Sequence, residues 1–217
     1  MKLICWFIGT SAALCLLIAP ASAAVIDLFD QRDQAVSTNN LGLPTSSTET
    51  ISGSQFSSRK MSVTFGGGNF TTSTITGTLS YEAIIPDSSS NRWGYFSLVY
   101  SSADLVNLIG AGENSFRLVF DQINVLSGLP LSFSVASGSA TRSVSLPGGF
   151  SESGSVVDIP FTSFQGVDFS KVSGITLSAS RLSPGTSFTL NSITTVPEPG
   201  MLTLLSAASL FVFRRRR

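Results

Sequence analysis

The sequence contains no histidine, and its only two cysteines are Cys5 and Cys15. Both lie within the first twenty residues, so the rest of the chain holds neither residue type. That removes a disulfide framework. It also removes Cys/His zinc sites and nucleophile systems that need a histidine or cysteine. Charge is scarce as well: Asp, Glu, Lys and Arg make up 12% of the residues. Between 24 and 196 stand all acidic residues but Glu198 and all basic residues but Lys2 and Arg214–Arg217, a balance of twelve against eight, net −4. A mildly acidic, weakly charged surface offers no basic patch for nucleic acid. Gly66-Gly67-Gly68 is followed by no Lys-Ser/Thr pair, so it is not a phosphate-binding loop.

The first residues read as an export signal. Lys2 is followed by an apolar run from Leu3 to Ala19, then by Ala21-Ser22-Ala23. Small side chains at Ala21 and Ala23 fit a signal-peptidase pocket, which predicts a signal peptide over residues 1–23, Sec-dependent export and cleavage before Ala24.

The other end carries three devices in order. Pro197 and Pro199 fix φ and lack amide donors, so the stretch Val196-Pro197-Glu198-Pro199-Gly200 is extended and leaves any sheet ladder. Met201–Phe213 is uncharged and can form an apolar helix. Its thirteen residues cover ~20 Å against a ~30 Å hydrocarbon core, short for a permanent span. Arg214, Arg215, Arg216 and Arg217 then form an orientation cluster expected to stay cytoplasmic.

This tripartite end resembles the PEP-CTERM sorting signal of Gram-negative bacteria. The resemblance covers 196–217 and rests on Pro197, Glu198 and Pro199, the apolar stretch and the terminal arginines. It implies recognition by an exosortase, a membrane protease that removes the tail. The implied route is a transient stay in the inner membrane, then delivery to the cell surface or extracellular matrix, with exopolysaccharide and biofilm as the setting.

Residues 24–195 are predicted to be one extracellular domain. Met61, Val63 and Phe65 alternate with polar residues, and so do Ile75, Leu79 and Tyr81 with Gly77 between. The same period of two recurs at Phe96/Leu98/Tyr100, Phe116/Leu118/Phe120, Leu131/Phe133/Val135, Val144/Leu146, Ile175/Leu177 and Phe188/Leu190. Gly- and Pro-rich turns separate these runs. The pattern predicts an all-β, antiparallel two-sheet sandwich of jelly-roll type. The one helix candidate is Ala103–Ile109, with Ser102 as its N-cap. Val25–Asp30 and Phe188–Ile193 are similar to the opening and closing strands of bodies found before this tag.

The expected role is non-catalytic, because no spacing pairs two carboxylates as a hydrolase requires. A secreted carbohydrate-binding module is the first alternative, and a hydrolase acting through paired carboxylates the second. Trp93 and Tyr95 would share one strand face, opposite Phe96 and Leu98, and could stack on sugar rings or merely pack at an edge. Asp27 and Asp30, near the mature amino terminus, are candidate calcium ligands, although a separation of three residues points them to opposite faces of a regular strand.

Overall fold

In the computed structural model the described residues are 23–38, 44–65, 71–83, 94–110, 112–124, 131–146, 154–182 and 185–196. They form thirteen strands and one turn of 3-10 helix, Phe161–Ser163. The strands are β1 (Val25–Asp27), β2 (Gln34–Ser37), β3 (Thr45–Thr50), β4 (Ser58–Phe65), β5 (Thr71–Ile75), β6 (Leu79–Ala83) and β7 (Gly94–Val106). They continue as β8 (Ser115–Asn124), β9 (Leu131–Ser137), β10 (Ala140–Ser145), β11 (Val156–Pro160), β12 (Val172–Leu182) and β13 (Ser187–Val196). Every pairing is antiparallel.

Two sheets face each other. One runs β11-β8-β13-β6-β5-β2, with β1 added beside β13; the other runs β10-β9-β12-β7-β4-β3. The architecture is the sandwich of jelly-roll type that the alternation predicts. Along β9, Leu131, Phe133 and Val135 are buried while the intervening residues are not, which is the period of two expressed in space. Two aromatic groups fill the core. Tyr81 and Phe188 stack at 5.3 Å, with Phe96 edge-on to both. Phe116 lies 4.7 Å from Phe133 and 4.8 Å from Phe161, and Phe161 stacks on Phe169 at 4.0 Å. Rings at these separations add ~0.5–1.5 kcal/mol per pair beyond area burial.

Strand β13 joins the halves of its sheet. It pairs with β8 over Ser187–Val196, and on its other edge with β6 over Ser187–Leu190 and with β1 at Ile193 and Thr194. Without it the ladder β11-β8 has no connection to β6-β5-β2. The last strand in sequence is therefore central in space, and this sheet cannot close until that strand is present.

The structure corrects the local reading in two places. Ala103–Ile109 is not a helix: β7 continues to Val106, and the register jumps from Gly174↔Ser101 to Val172↔Val106. Four residues of β7, 102–105, stand against Ser173 alone on β12, so they bulge out of the ladder. Ile75, Leu79 and Tyr81 are not one run. A tight turn at 76–78 makes a hairpin, with Ile75 opposite Leu79 and Gly77 at φ +68°, a left-handed conformation that glycine adopts without strain.

Candidate functional site

The site is the end of β13, the last described strand before the carboxyl-terminal motif in sequence. Val196 ends β13 opposite Ser115. Its carbonyl accepts hydrogen bonds from the Asn114 amide at 3.2 Å and the Ser115 hydroxyl at 3.2 Å. Thr195 is fully buried. Its amide donates to the Ala24 carbonyl at 2.9 Å, and its hydroxyl accepts from the Ala24 amide at 3.2 Å. The residue predicted to begin the exported chain is thus bonded to the residue two positions before Pro197. Residues 171 apart in sequence meet at one end of the sandwich.

A buried charge cluster fixes this arrangement three residues further on. Asp27 at the end of β1 and Arg59 on β4 are both inaccessible and lie 2.7 Å apart. Asp27 Oδ2 also accepts from the Tyr100 hydroxyl at 2.9 Å, and Oδ1 from the Phe29 amide at 2.7 Å. Arg59 completes its fork with Gln34 Oε1 at 3.1 Å and the Arg32 carbonyl at 2.8 Å. Its guanidinium lies 5.9 Å from the centre of the Phe29 ring, and Phe29 is held at a left-handed φ of +59°. That conformation costs a non-glycine residue free energy and persists where the surroundings fix it. The cluster ties β1 and β2 of one sheet to β4 and β7 of the other.

Burial, then the negative charge and hydrogen bond of Asp27, hold the Tyr100 hydroxyl well above the usual tyrosine range. The folded value exceeds the unfolded one, so this contribution to stability is complete below about pH 10 and is lost as pH rises through the folded value. Tyr100→Phe should lower stability at pH 7 by about 1.5–3 kcal/mol, the range for a hydrogen bond to a charged group, and should flatten the loss above pH 10. Urea midpoints measured from pH 7 to 11 check this; parallel curves for the two proteins would contradict it.

The other sequence candidates fall as follows. Ala23 and Ala24 are described, whereas Ala21 is not. Val196 is described, and Pro197–Gly200 and Arg214–Arg217 lie outside the described residues, as does the apolar stretch 201–213. Among the described residues no helix is long and apolar enough to cross a membrane. Trp93 also lies outside them. Tyr95 is exposed on β7, opposite in face to the buried Phe96, Leu98 and Tyr100. The calcium expectation meets a different arrangement: both oxygens of Asp27 serve Arg59, Tyr100 and the Phe29 amide, while Asp30 is exposed. Among the described residues no group of three or more acidic side chains is placed to hold a metal ion.

Two features escape sequence reasoning. The Asp27–Arg59 pair spans 32 residues with no local signal beyond an arginine in an alternating strand. The second is a row of serines that crosses the outer face of the six-stranded sheet: Ser46, Ser62, Ser97, Ser178, Ser132 and Ser145 stand in one register, one per strand. In that row and the two beside it toward Thr48 and Thr50, Lys60 carries the only charge. The face is nearly uncharged and rich in hydroxyls.

Residues 195–217 match the PEP-CTERM protein-sorting motif. No curated protein sequence matches the chain significantly. Among solved structures it is similar to a family 11 carbohydrate-binding module from Clostridium thermocellum in complex with a β-1,3-1,4-mixed-linked tetrasaccharide. That match has 14% identity and a TM-score of 0.42 over 81% of this chain and 95% of that one. The family 11 module of the cellulosomal cellulase Lic26A-Cel5E of the same organism matches with 15% identity and a TM-score of 0.42, over 83% and 97% of the chains. TmCBM61 in complex with β-1,4-galactotriose matches with 14% identity and a TM-score of 0.33, over 76% and 88%. Likenesses at this level decide neither ligand nor activity.

Proposed function

We propose that the chain, which carries a PEP-CTERM protein-sorting motif, is an exported, non-catalytic surface or matrix protein whose tail is removed by an exosortase. One observation carries this: the match to the sorting motif begins at Thr195, where the body's central strand reaches its last residues. Pro197 and Pro199 cannot donate to a ladder and fix φ, which favours an extended backbone for the motif. Extended backbone is what a protease groove takes up, by strand-like hydrogen bonding. In this account residues 1–23 are the export signal, 24–195 the delivered domain and 196–217 the sorting signal. Met201–Phe213 holds the substrate in the inner membrane, and Arg214–Arg217 sets its direction.

The test is replacement of Pro197, Glu198 and Pro199 together by alanine. The variant should fold as the parent does, because these residues follow the last strand, yet keep its tail and accumulate in the inner membrane. Tail removal at the parental rate would overturn the assignment.

A second reading, binding of a neutral polysaccharide, is favoured by the hydroxyl-rich face with exposed Tyr95 at its border. Tyr95→Ala should weaken retention on exopolysaccharide in affinity electrophoresis, by about tenfold for loss of a ~1–1.5 kcal/mol ring contact, with stability unchanged. Unaltered mobility would remove that site.

A further inference from the structure

The end of the sandwich that carries Ala24 and Val196 also carries two large exposed apolar side chains. Leu105 is 58% exposed on the bulge of β7, and Ile109 is 44% exposed in the connection that leads to β8. Both belong to the segment that ends at Asn114, whose amide holds the Val196 carbonyl. Among the described residues the other exposed large apolar side chains, Leu28, Tyr95 and Val156, stand singly, as such residues commonly do.

The length of the connecting chain gives the pair at this end a partner. Only residues 197–200 separate Val196 from the apolar stretch that starts at Met201. Five Cα steps fully extended reach on the order of 17 Å. The headgroup region itself is roughly 5–8 Å deep on each side of the hydrocarbon core. The ten residues of β13 extend ~33 Å. The tether is therefore about half the height of the body. While the tail resides in the membrane, the body must sit with this end against the lipid surface. The short apolar stretch draws it closer still, since thirteen residues do not span the core without pulling their flanks inward.

We propose that this end is a membrane-facing surface, and that Leu105 and Ile109 enter the lipid interface until the tail is removed. The inference rests on the proposed membrane residence of the tail. It goes beyond it by assigning an orientation to the body and a contact to two residues of the β7–β8 connection. The two processing points, at Ala24 and after Val196, then lie side by side within reach of membrane-embedded enzymes.

The test uses the absence of cysteine beyond Cys15. The full-length chain is expressed with its export signal in a bacterium lacking an exosortase and purified from the inner membrane. It is then reconstituted in vesicles of phosphatidylethanolamine and phosphatidylglycerol containing nitroxide-labelled lipid. Single-cysteine variants Leu105→Cys, Ile109→Cys, Asn124→Cys and Ala208→Cys carry an environment-sensitive fluorophore. Asn124 is exposed at the opposite end, paired with Ser187, and serves as the distant control. Labels at 105 and 109 should be quenched about twofold by the lipid nitroxide, as shallow interfacial insertion predicts, and the label at 124 should not. Quenching at 208 with 105 and 109 as bright as 124 would overturn the orientation while sparing the sorting account. No quenching at 208 would overturn both. Labels at 105 and 109 shielded from an aqueous quencher yet untouched by the lipid nitroxide would put a protein there instead and overturn the lipid assignment.

Discussion

Asp27→Ala should destabilise the body by about 3–5 kcal/mol in urea or guanidinium titration, the cost of leaving a buried charge without its partner. Arg59 is completely inaccessible, so its guanidinium cannot recover hydration in the variant. Gln34 and the Arg32 carbonyl remain, but neither carries compensating charge. Tyr100 loses its acceptor in the same step. Removing both charges with Asp27→Leu/Arg59→Met should cost far less than the sum of the single changes, because no ion is then stranded. A loss below about 1 kcal/mol for Asp27→Ala would mean that water reaches the pair and that the cluster does not close the fold. The effect should also appear at the junction. Asp27 is the last residue of β1, and freeing that strand removes the pairing that flanks Ile193 and Thr194. Hydrogen exchange at the Thr195 amide, which donates to Ala24, should then accelerate more than exchange in β9 and β10.

Phe116→Ala should cost a similar amount, about 3–5 kcal/mol, through a different mechanism. Phe116 is fully buried and touches four other rings, Phe133, Phe161, Phe164 and Phe169. A void there cannot collapse easily, since the stacked pair Phe161–Phe169 and the strands on either side hold its walls. Phe116→Leu should recover most of the loss. Phe116 is also the partner of Thr195 in the β8–β13 ladder. The cavity therefore opens beneath the strand that delivers the motif, and limited proteolysis should cut the variant ahead of Val196. A midpoint shift below that of an ordinary Ile→Val change would contradict the packing described.

The alternation of apolar and polar residues made most of the long strands legible: β4, β7, β8, β9, β12 and β13 each carry an apolar face in sequence. Two strands were not legible: β3 has no apolar face, and β11 has a short one, Val157 and Ile159. β3 reads Thr-Ser-Ser-Thr-Glu-Thr and lies at a sheet edge, where hydroxyl side chains need little burial. β11 ends in Pro160 and is also an edge, the place where a missing amide donor is tolerated. The false helix at Ala103–Ile109 came from a serine cap followed by apolar residues; burial of Val106 and Leu108 in the sandwich, with Leu105 and Ile109 left outside, satisfies the same residues differently. The sorting signal was readable because its parts are contiguous. The site it joins was not, because Ala24 meets Thr195, and Asp27 meets Arg59, only after the sheets form. Long-range polar contacts leave no period in a sequence, and two aspartates near a terminus look the same whether they await a cation or an arginine.

Export and tail removal are read together by terminal-peptide mass spectrometry of the protein recovered from its native envelope and medium. The expected result is an amino terminus at Ala24 and loss of everything beyond the Pro197–Pro199 region, with peptides of β13 intact. A population that keeps Arg217 would contradict it, for the tail would then be a standing anchor and the motif would not be processed.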